Sequence, residues 1–575
     1  MNAPSKSSSL LGRRRKLHPR SAIPFVLLAV FTMQSFWFIQ TQSLTYDEPA
    51  HVIAGVDAWR HGRFELWNDH PPLGRLWLTL PIRNLDSQFV WRQTPNGYRV
   101  ESMQPGPEDI AARTRPMNTL LGIFLGLALW FATRRLFSEG AANVALALFA
   151  FTPSLIAHYS VATTDGIGTL FIFLVAYQLV RWRHNPNWLQ TVFLGVSLGG
   201  LLLAKFYAPP LVLLALVLML LLKPEGAALR PGQWNWKPTL VALVLALITL
   251  WAGYFFHVSH FKVADGQVTA TFHNRGLKTW ATHSHLHINM MVPAGEFFEG
   301  LREVAFSNKR GRPAWFFGKI YPTGGIKLYY PAAIVLKWPT ILIALILASL
   351  LMGIRPVCRA PGDLLVMCAF AIVFLFFAIP SKYDIGERHI LPLYPFALLI
   401  AGSMWEHVAA SKARIAFSVH TWWGLRAINL NILALLVVLA LNAADALRSA
   451  PDYLTYFNIL VRPQNSWRYL TDSNLDWGQG LIALRNYEWQ YPQEQLHLAY
   501  FGSINPALYG VRATPLAPKE RATGKVVIGG SYLSGQVLSD PDSYRWLLSY
   551  PPTQMVDRSM FMYQIQPPAM SQPSN

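Results

Sequence analysis

The chain has 575 residues, 52% hydrophobic and only 14% charged, with several apolar runs long enough to cross a bilayer, which excludes an ordinary soluble protein. A net charge of +19 would suggest nucleic acid in a soluble chain; here much of the basic excess lies in tails and in connections between apolar segments, and points instead to anionic lipid headgroups or a pyrophosphate-like substrate. Only Cys358 and Cys368 are present, so no disulfide framework or Cys-based zinc site is supported.

Residues 1–21, Ser-rich and then basic (GRRRKLHPR), read as a cytoplasmic tail. The apolar segment from about 22 to 41 runs into FWFIQTQS without a small-x-small cleavage site, so a retained anchor is expected rather than a cleaved signal peptide. With that N-terminus inside, Asp47 emerges on the outer face. The loop over 42–115 is too long and too rich in Trp and Pro to be idle. Its first part, TYDEPAHVIAGVDAWRHGRFELWNDHPPLGRLW (45–77), sets Asp47 and Glu48 beside the membrane. His51, His61, Asp69, His70 and Arg75 follow, interleaved with Trp59, Trp67 and Trp77. Acids, bases and aromatics gathered at an interface suit a site acting on an amphipathic lipid; a polar connection with an aromatic belt is the plainer alternative. The part from 84 to 110 is polar and reads as irregular.

Apolar segments follow near 117–133, 140–157, 166–182, 189–204, 209–222 and 238–256. Arg134 and Arg135, then Arg181 and Arg183, then Lys223 and Arg230 mark alternate ends as inside. Several segments are short for a full crossing, which allows tilt or re-entry. A second outer region, 257–330, carries His257, His260, His273, His283, His285 and His287. Segments near 331–352, 363–380, 389–407 and 426–447 bring the count to eleven crossings and leave the C-terminus outside. Residues 449–565 change to mixed composition and read as a small α/β domain on the outer face, the chain closing on a Pro- and Ser-containing tail to 575. Within it VVIGGSYL (526–533) reads as a buried strand, and SWRYLTDSNLDWGQGLIALRNYEW as a loop entering a helix.

The order apolar segment, DEPAH, then an HPPL turn resembles bacterial integral-membrane glycosyltransferases that use polyprenyl-phosphate-linked sugars. These belong to the GT-C superfamily, with protein O-mannosyltransferases and the lipid A aminoarabinose transferase as better-known relatives. The resemblance implies an all-α polytopic membrane protein in which residues 22–448 form the catalytic transmembrane part and 449–575 the extracytoplasmic C-terminal domain and tail. It also implies transfer of a sugar to a protein, lipid or glycan acceptor on the outer side of the inner membrane. In the resembling families the acid at the start of this loop is the proposed base, and it matches Asp47, with Glu48 orienting it or an acceptor. Capping of the helix that begins near Pro49 is the simpler role for Asp47. ATTDG (162–166) resembles the second acidic motif and puts Asp165 at the same outer edge, where it also suits a helix cap.

For the carrier phosphate, the family commonly has Lys in the region where this chain has His70 and Arg75. Lys205 either snorkels or faces a cavity. KYDIGERHILPLYP (382–395) resembles an outer-loop pattern of the family: Arg388 offers a planar fork for phosphate oxygens, and Lys382 and His389 add charge or hydrogen bonds. Basic residues on an outer face run against the positive-inside tendency, which favours a phosphate site there. Lys337, in YYPAAIVLKWP (329–339), snorkels or reaches the donor. THSHLH (282–287) lacks a recognised zinc spacing, so no metal ligand is assigned, although metal dependence differs among the relatives and a divalent ion stays open. Asp472 and Asp476, in DSNLDWGQG, either touch an acceptor sugar or brace a loop. No cofactor beyond the lipid-linked donor is expected. A flippase for a lipid-linked saccharide could use the same acids and bases for binding alone, and a non-catalytic scaffold could keep the fold; related halves of the transporter kind are not seen.

Overall fold

A computed structural model describes residues 22–94, 97–222, 236–264, 267–270, 288–411 and 430–567. The first apolar segment is helix α1 (Ile23–Thr41), with Phe31 and Phe38 fully buried against the bundle. α2 (Glu48–His61) has proline in its first turn and stops at Gly62, whose φ of +66° is the left-handed conformation that glycine adopts without strain. α3 (Pro72–Thr79) follows the Pro-Pro turn.

The stretch expected to be irregular forms an antiparallel hairpin, β1 (Gln88–Thr94) and β2 (Gly97–Gln104). Tyr98, Val100 and Met103 of β2 are buried while its Arg, Glu and Gln side chains reach outward, a half-buried pattern that the polar composition masks. α4 (Pro107–Leu136) then starts inside the same stretch, with Glu108 and Asp109 in its first turn and Arg134 and Arg135 in its last, as the helix dipole favours.

The bundle continues through α5 (Glu139–Ala150), α6 (Pro153–His158), α7 (Asp165–His184), α8 (Trp188–Ala204), α9 (Ala208–Leu221) and α10 (Trp236–Gly253). Each of the eleven expected apolar segments carries helix, but eleven full crossings are not established. Among the described residues, five helices are long and apolar enough to cross a membrane: α1, α4, α10, Pro361–Ala378 and Leu430–Arg448. Tyr329–Lys337 and Thr340–Met352 make a sixth span if the pair, bent by 108°, is counted as one. α5, α8 and α9 are apolar but have 12, 17 and 14 residues, where a straight span needs about 20. At the end of α7 expected to lie inside, Arg183 (3.1 Å) and His184 (2.6 Å) close on the buried Asp363. Lys223, Arg230, the basic tail and THSHLH lie outside the described residues.

The bent span is held open by the C-terminal region. A break in a membrane helix leaves carbonyls that need partners. The Asn458 amide donates to Val335 O (2.6 Å) and Trp338 O (2.9 Å), and its backbone N–H to Leu336 O (2.9 Å). Lys337 neither snorkels nor reaches toward a donor: it is buried, and its ammonium donates to Leu454 O (3.1 Å) and Asn474 O (2.6 Å). The C-terminal region itself has a five-stranded mixed sheet. Gly524–Gly529 lies at its centre, parallel to Leu496–Ala499 and antiparallel to Met560–Ile565. The strand expected over 526–533 thus ends at Gly529, where the Asp476 carboxylate lies against the backbone and leaves no room for a side chain. DSNLDWGQG does enter a helix, Leu481–Gln490. It also pairs with the loop before α2: the N–H groups of Ser43 and Tyr46 donate to Gln479 O (2.9 Å) and Trp477 O (2.7 Å).

One ion pair sets the start of α2. Glu48 has no exposure, and its two oxygens accept from Arg115 Nε and a terminal nitrogen, each at 2.8 Å. They also take the N–H groups of Thr45 and Ala162, each at 2.6 Å. Arg115 turns its remaining donors to Gln42 O (2.6 Å) and Ser43 O (2.7 Å). Arg115→Met strands the Glu48 charge and is expected to remove about 3–5 kcal/mol of stability; adding Glu48→Gln should restore part of the lost melting temperature in detergent.

Asp476 gives a second test. Its carboxylate accepts from the N–H groups of Ser531 (3.0 Å) and Gly478 (3.2 Å), yet burial outweighs both and pushes it up from 3.8 to about 7. The native state therefore keeps a proton that the unfolded chain releases. That contribution to stability is complete below pH 3.8 and is lost as pH rises through about 7. Melting temperatures across that window should fall less steeply for Asp476→Asn than for the natural chain.

Candidate functional site

Asp47 stands at the position just before α2 where a capping residue sits, but its side chain makes no capping bond. It faces a cavity of about 1080 Å³ instead, and its Oδ2 accepts a 2.7 Å hydrogen bond from Arg388. Arg388 lies on a seven-residue 3₁₀ segment, Glu387–Leu393, with its guanidinium 4.2 Å above the ring centre of Trp477. The same guanidinium is 3.7 Å from Asp165 Oδ2, and Asp165 Oδ1 takes the Lys205 ammonium at 2.7 Å. Acid and base thus alternate from Asp47 through Arg388 and Asp165 to Lys205.

Of the expected acids, Asp47 lines the cavity, while Asp165 and Glu48 do not. Asp165 is only 5% exposed and meets the cavity through its two cationic partners; it opens α7 without making a side-chain cap. Glu48 points the other way, to Arg115, so it steadies the loop and touches no ligand space.

The basic candidates divide in the same manner. Lys205, His70, Arg75, Arg388 and His389 all line the cavity. Arg75 is heavily engaged: it donates to Leu66 O (3.0 Å), Trp67 O, Asp69 Oδ1 (3.1 Å) and His51 Nδ1 (3.4 Å). His51 and His70 have ring centres 5.0 Å apart. Burial, with Arg75 beside one and Lys205 beside the other, holds both well below the usual histidine range, so they are neutral hydrogen-bonding groups. His389 Nε2 is enclosed with no partner among the described residues. Lys382 corrects the expectation: it does not line the cavity, and its ammonium donates to Lys309 O at 3.1 Å. Arg312 takes that place, lining the cavity over the ring of Tyr383 (5.5 Å). Sequence reasoning passed over Arg312, although Lys309, Arg310 and Arg312 are basic residues in a region expected to lie outside, the same signal that singled out Arg388.

The DSNLDWGQG loop forms the backing of the site. Trp477 is the platform under Arg388, a role its sequence position does not advertise. Asp472, at φ +56° and 8% exposed, is pushed up to about 6 by burial, with Arg388 opposing. Asp476 braces the loop rather than the cavity. Tyr46, next to Asp47, is raised to about 12 by burial and then by the Asp47 charge, and so remains a neutral phenol. Among the described residues no three His, Cys, Asp or Glu side chains are grouped to hold a metal ion.

Residues 112–252 match the family model described as dolichyl-phosphate-mannose-protein mannosyltransferase. That stretch contains Arg115, Asp165 and Lys205. A search of curated proteins finds no match. Among solved structures, the chain aligns with ArnT from Cupriavidus metallidurans bound to undecaprenyl phosphate, at 12% identity and TM-score 0.47, over 94% of this chain and 97% of that one. It also aligns with the oligosaccharyltransferase of Archaeoglobus fulgidus tethered to an acceptor peptide, at 11% identity and TM-score 0.44, over 94% of this chain and 74% of that one. The matched residues 112–252 include ATTDG, so over that stretch the chain is similar to membrane mannosyltransferases, in line with the resemblance drawn from its sequence motifs.

Proposed function

We propose that this protein is a glycosyltransferase that moves a sugar from a polyprenyl-phosphate-linked donor to an acceptor hydroxyl on the outer face of the inner membrane. The observation that carries the reading is one cavity uniting an accessible carboxylate, a set of cations and an apolar wall. Asp47, with 29% of its side chain exposed, takes the proton as the acceptor oxygen attacks the anomeric carbon. The bond between that carbon and the phosphate oxygen breaks, and the polyprenyl phosphate leaves with the electron pair. Arg388 and Arg312 offer planar forks to its oxygens, and Lys205 a point charge. His70 and His389, both lining the cavity, supply hydrogen bonds, while Arg75 holds the loop that frames it. Asp165 positions Arg388 and Lys205 between the phosphate and itself. Leu211, Leu301, Val304, Phe374 and Phe377 form the apolar wall and suit the first isoprene units. Protein, lipid and glycan acceptors all present the required hydroxyl.

A flippase would bind the same lipid without breaking a bond, and transfer itself separates the two. Purified protein in lipid, given labelled polyprenyl-phosphate sugars and a membrane extract as acceptor, is expected to pass label on. Asp47→Asn should lower that transfer by about 100-fold or more, with donor binding and melting temperature kept. Saturable donor binding with no transfer by the natural chain would favour the flippase. The cations are tested apart from the base: Arg312→Ala should raise the donor KM by about tenfold, and Lys382→Ala should leave it unchanged.

A further inference from the structure

We propose that Trp67, Trp91 and Tyr98 form a subsite that stacks against a sugar ring; the inference rests on the transfer reading and names where a saccharide sits. All three line the cavity, as does Tyr46. Trp67 meets Trp91 with ring centres 4.8 Å apart and planes at 47°, and meets Tyr98 at 5.1 Å and 51°. Tyr46 carries the wall onward, 5.6 Å from Tyr98 and stacked on Phe501 at 5.1 Å. The wall therefore ends one residue from Asp47.

These rings are held rather than merely exposed. Trp67 has φ +46°, a strained backbone for a bulky residue, and Arg75 fixes it by bonding the Trp67 carbonyl. The Tyr98 hydroxyl donates to Tyr46 O (2.6 Å) and accepts from Ala50 N–H (3.1 Å). Register places Trp91 against Val100 in the hairpin. Trp67 and Trp91 stay half-buried, keeping ring surface open to the cavity. Around them stand Glu65, Asp69 and Gln93, which also line it. A pyranose has an apolar face of C–H bonds and a rim of hydroxyls, so it matches aromatic surface edged by amide and carboxylate groups. An isoprene chain has no group to bond with the Glu65 carboxylate or the Gln93 amide, whereas the hydroxyls of a sugar do. Either the sugar carried by the donor or a sugar of the acceptor has this chemistry.

The test compares binding of bare polyprenyl phosphate and of the polyprenyl-phosphate sugar to the full-length protein in nanodiscs, for the natural chain, Trp91→Ala and the conservative Trp91→Phe. Bare carrier should bind all three alike. If the ring is the donor's, the advantage of the sugar-linked carrier falls about threefold to tenfold in Trp91→Ala and returns in Trp91→Phe. If the ring is the acceptor's, donor affinity is constant and the acceptor KM rises by that factor. Unchanged donor affinity and unchanged acceptor KM in a Trp91→Ala protein of normal melting temperature overturn the subsite and leave the transfer reading standing. Weakened sugar-linked binding in a chain that never transfers label keeps the subsite and removes the transferase. A natural chain that neither prefers the sugar-linked carrier nor transfers label loses both.

Discussion

A carboxylate with no access to water decides where this site forms. Glu48 accepts four hydrogen bonds, from Arg115, Thr45 and Ala162, and leaving such a charge unpaired costs several kcal/mol. The end of α1, the start of α4 and the turn ahead of α7 therefore cannot part without exposing it. Asp47 is its neighbour, and the turn of the chain between them sends its carboxylate toward the cavity. The two acids look alike in sequence and have opposite tasks: one anchors, the other faces the ligand space.

Glu387 and Arg388 repeat the division. Glu387 is buried between Ser154 and Tyr394, and its backbone N–H donates to the Asn474 side chain at 2.9 Å. Successive residues of a 3₁₀ turn point about 120° apart, so fixing Glu387 aims Arg388 at Asp47 and Trp477. Lys337 binds the same knot from the bent span, 3.8 Å from Glu387 and bonded to Asn474 O. A membrane helix with a 108° bend thus contributes a strut, and its unpaired carbonyls are met by Asn458.

Much of this was legible in the chain because composition reports environment. Apolar runs mark helices, and acids or cations where a bilayer edge should be bland mark a site, which is how Asp47, Arg388 and Lys205 are found. Composition does not report direction. Glu48 and Asp165 are in the right loops but turn to Arg115 and Lys205; Lys382 is in the right loop but turns away, and Arg312, from a different segment, fills the cavity. Such outcomes depend on pairings between segments distant in sequence, to which local spacing is blind. The hairpin at Gln88–Gln104 was hidden for another reason: its outward face is so polar that only the inward residues of β2 show the strand. Apolar length alone does not separate a crossing from a short helix packed within the bundle, so among the described residues the helices establish five long spans, or six with the bent pair, and not the full eleven.

Trp477 and Asn474 have a bearing on biosynthesis. Translation delivers Asp47 early, Arg388 well after it, and the indole platform and the Asn474 clamp only after every long apolar helix has been made. A nascent chain halted after Leu430–Arg448 would already be seated in the bilayer with its acids and cations, yet with the guanidinium unsupported and the bent span's carbonyls unmet. Completion of the last segment is what sets the indole under Arg388 and gives the carbonyls of the bent helix pair their partners.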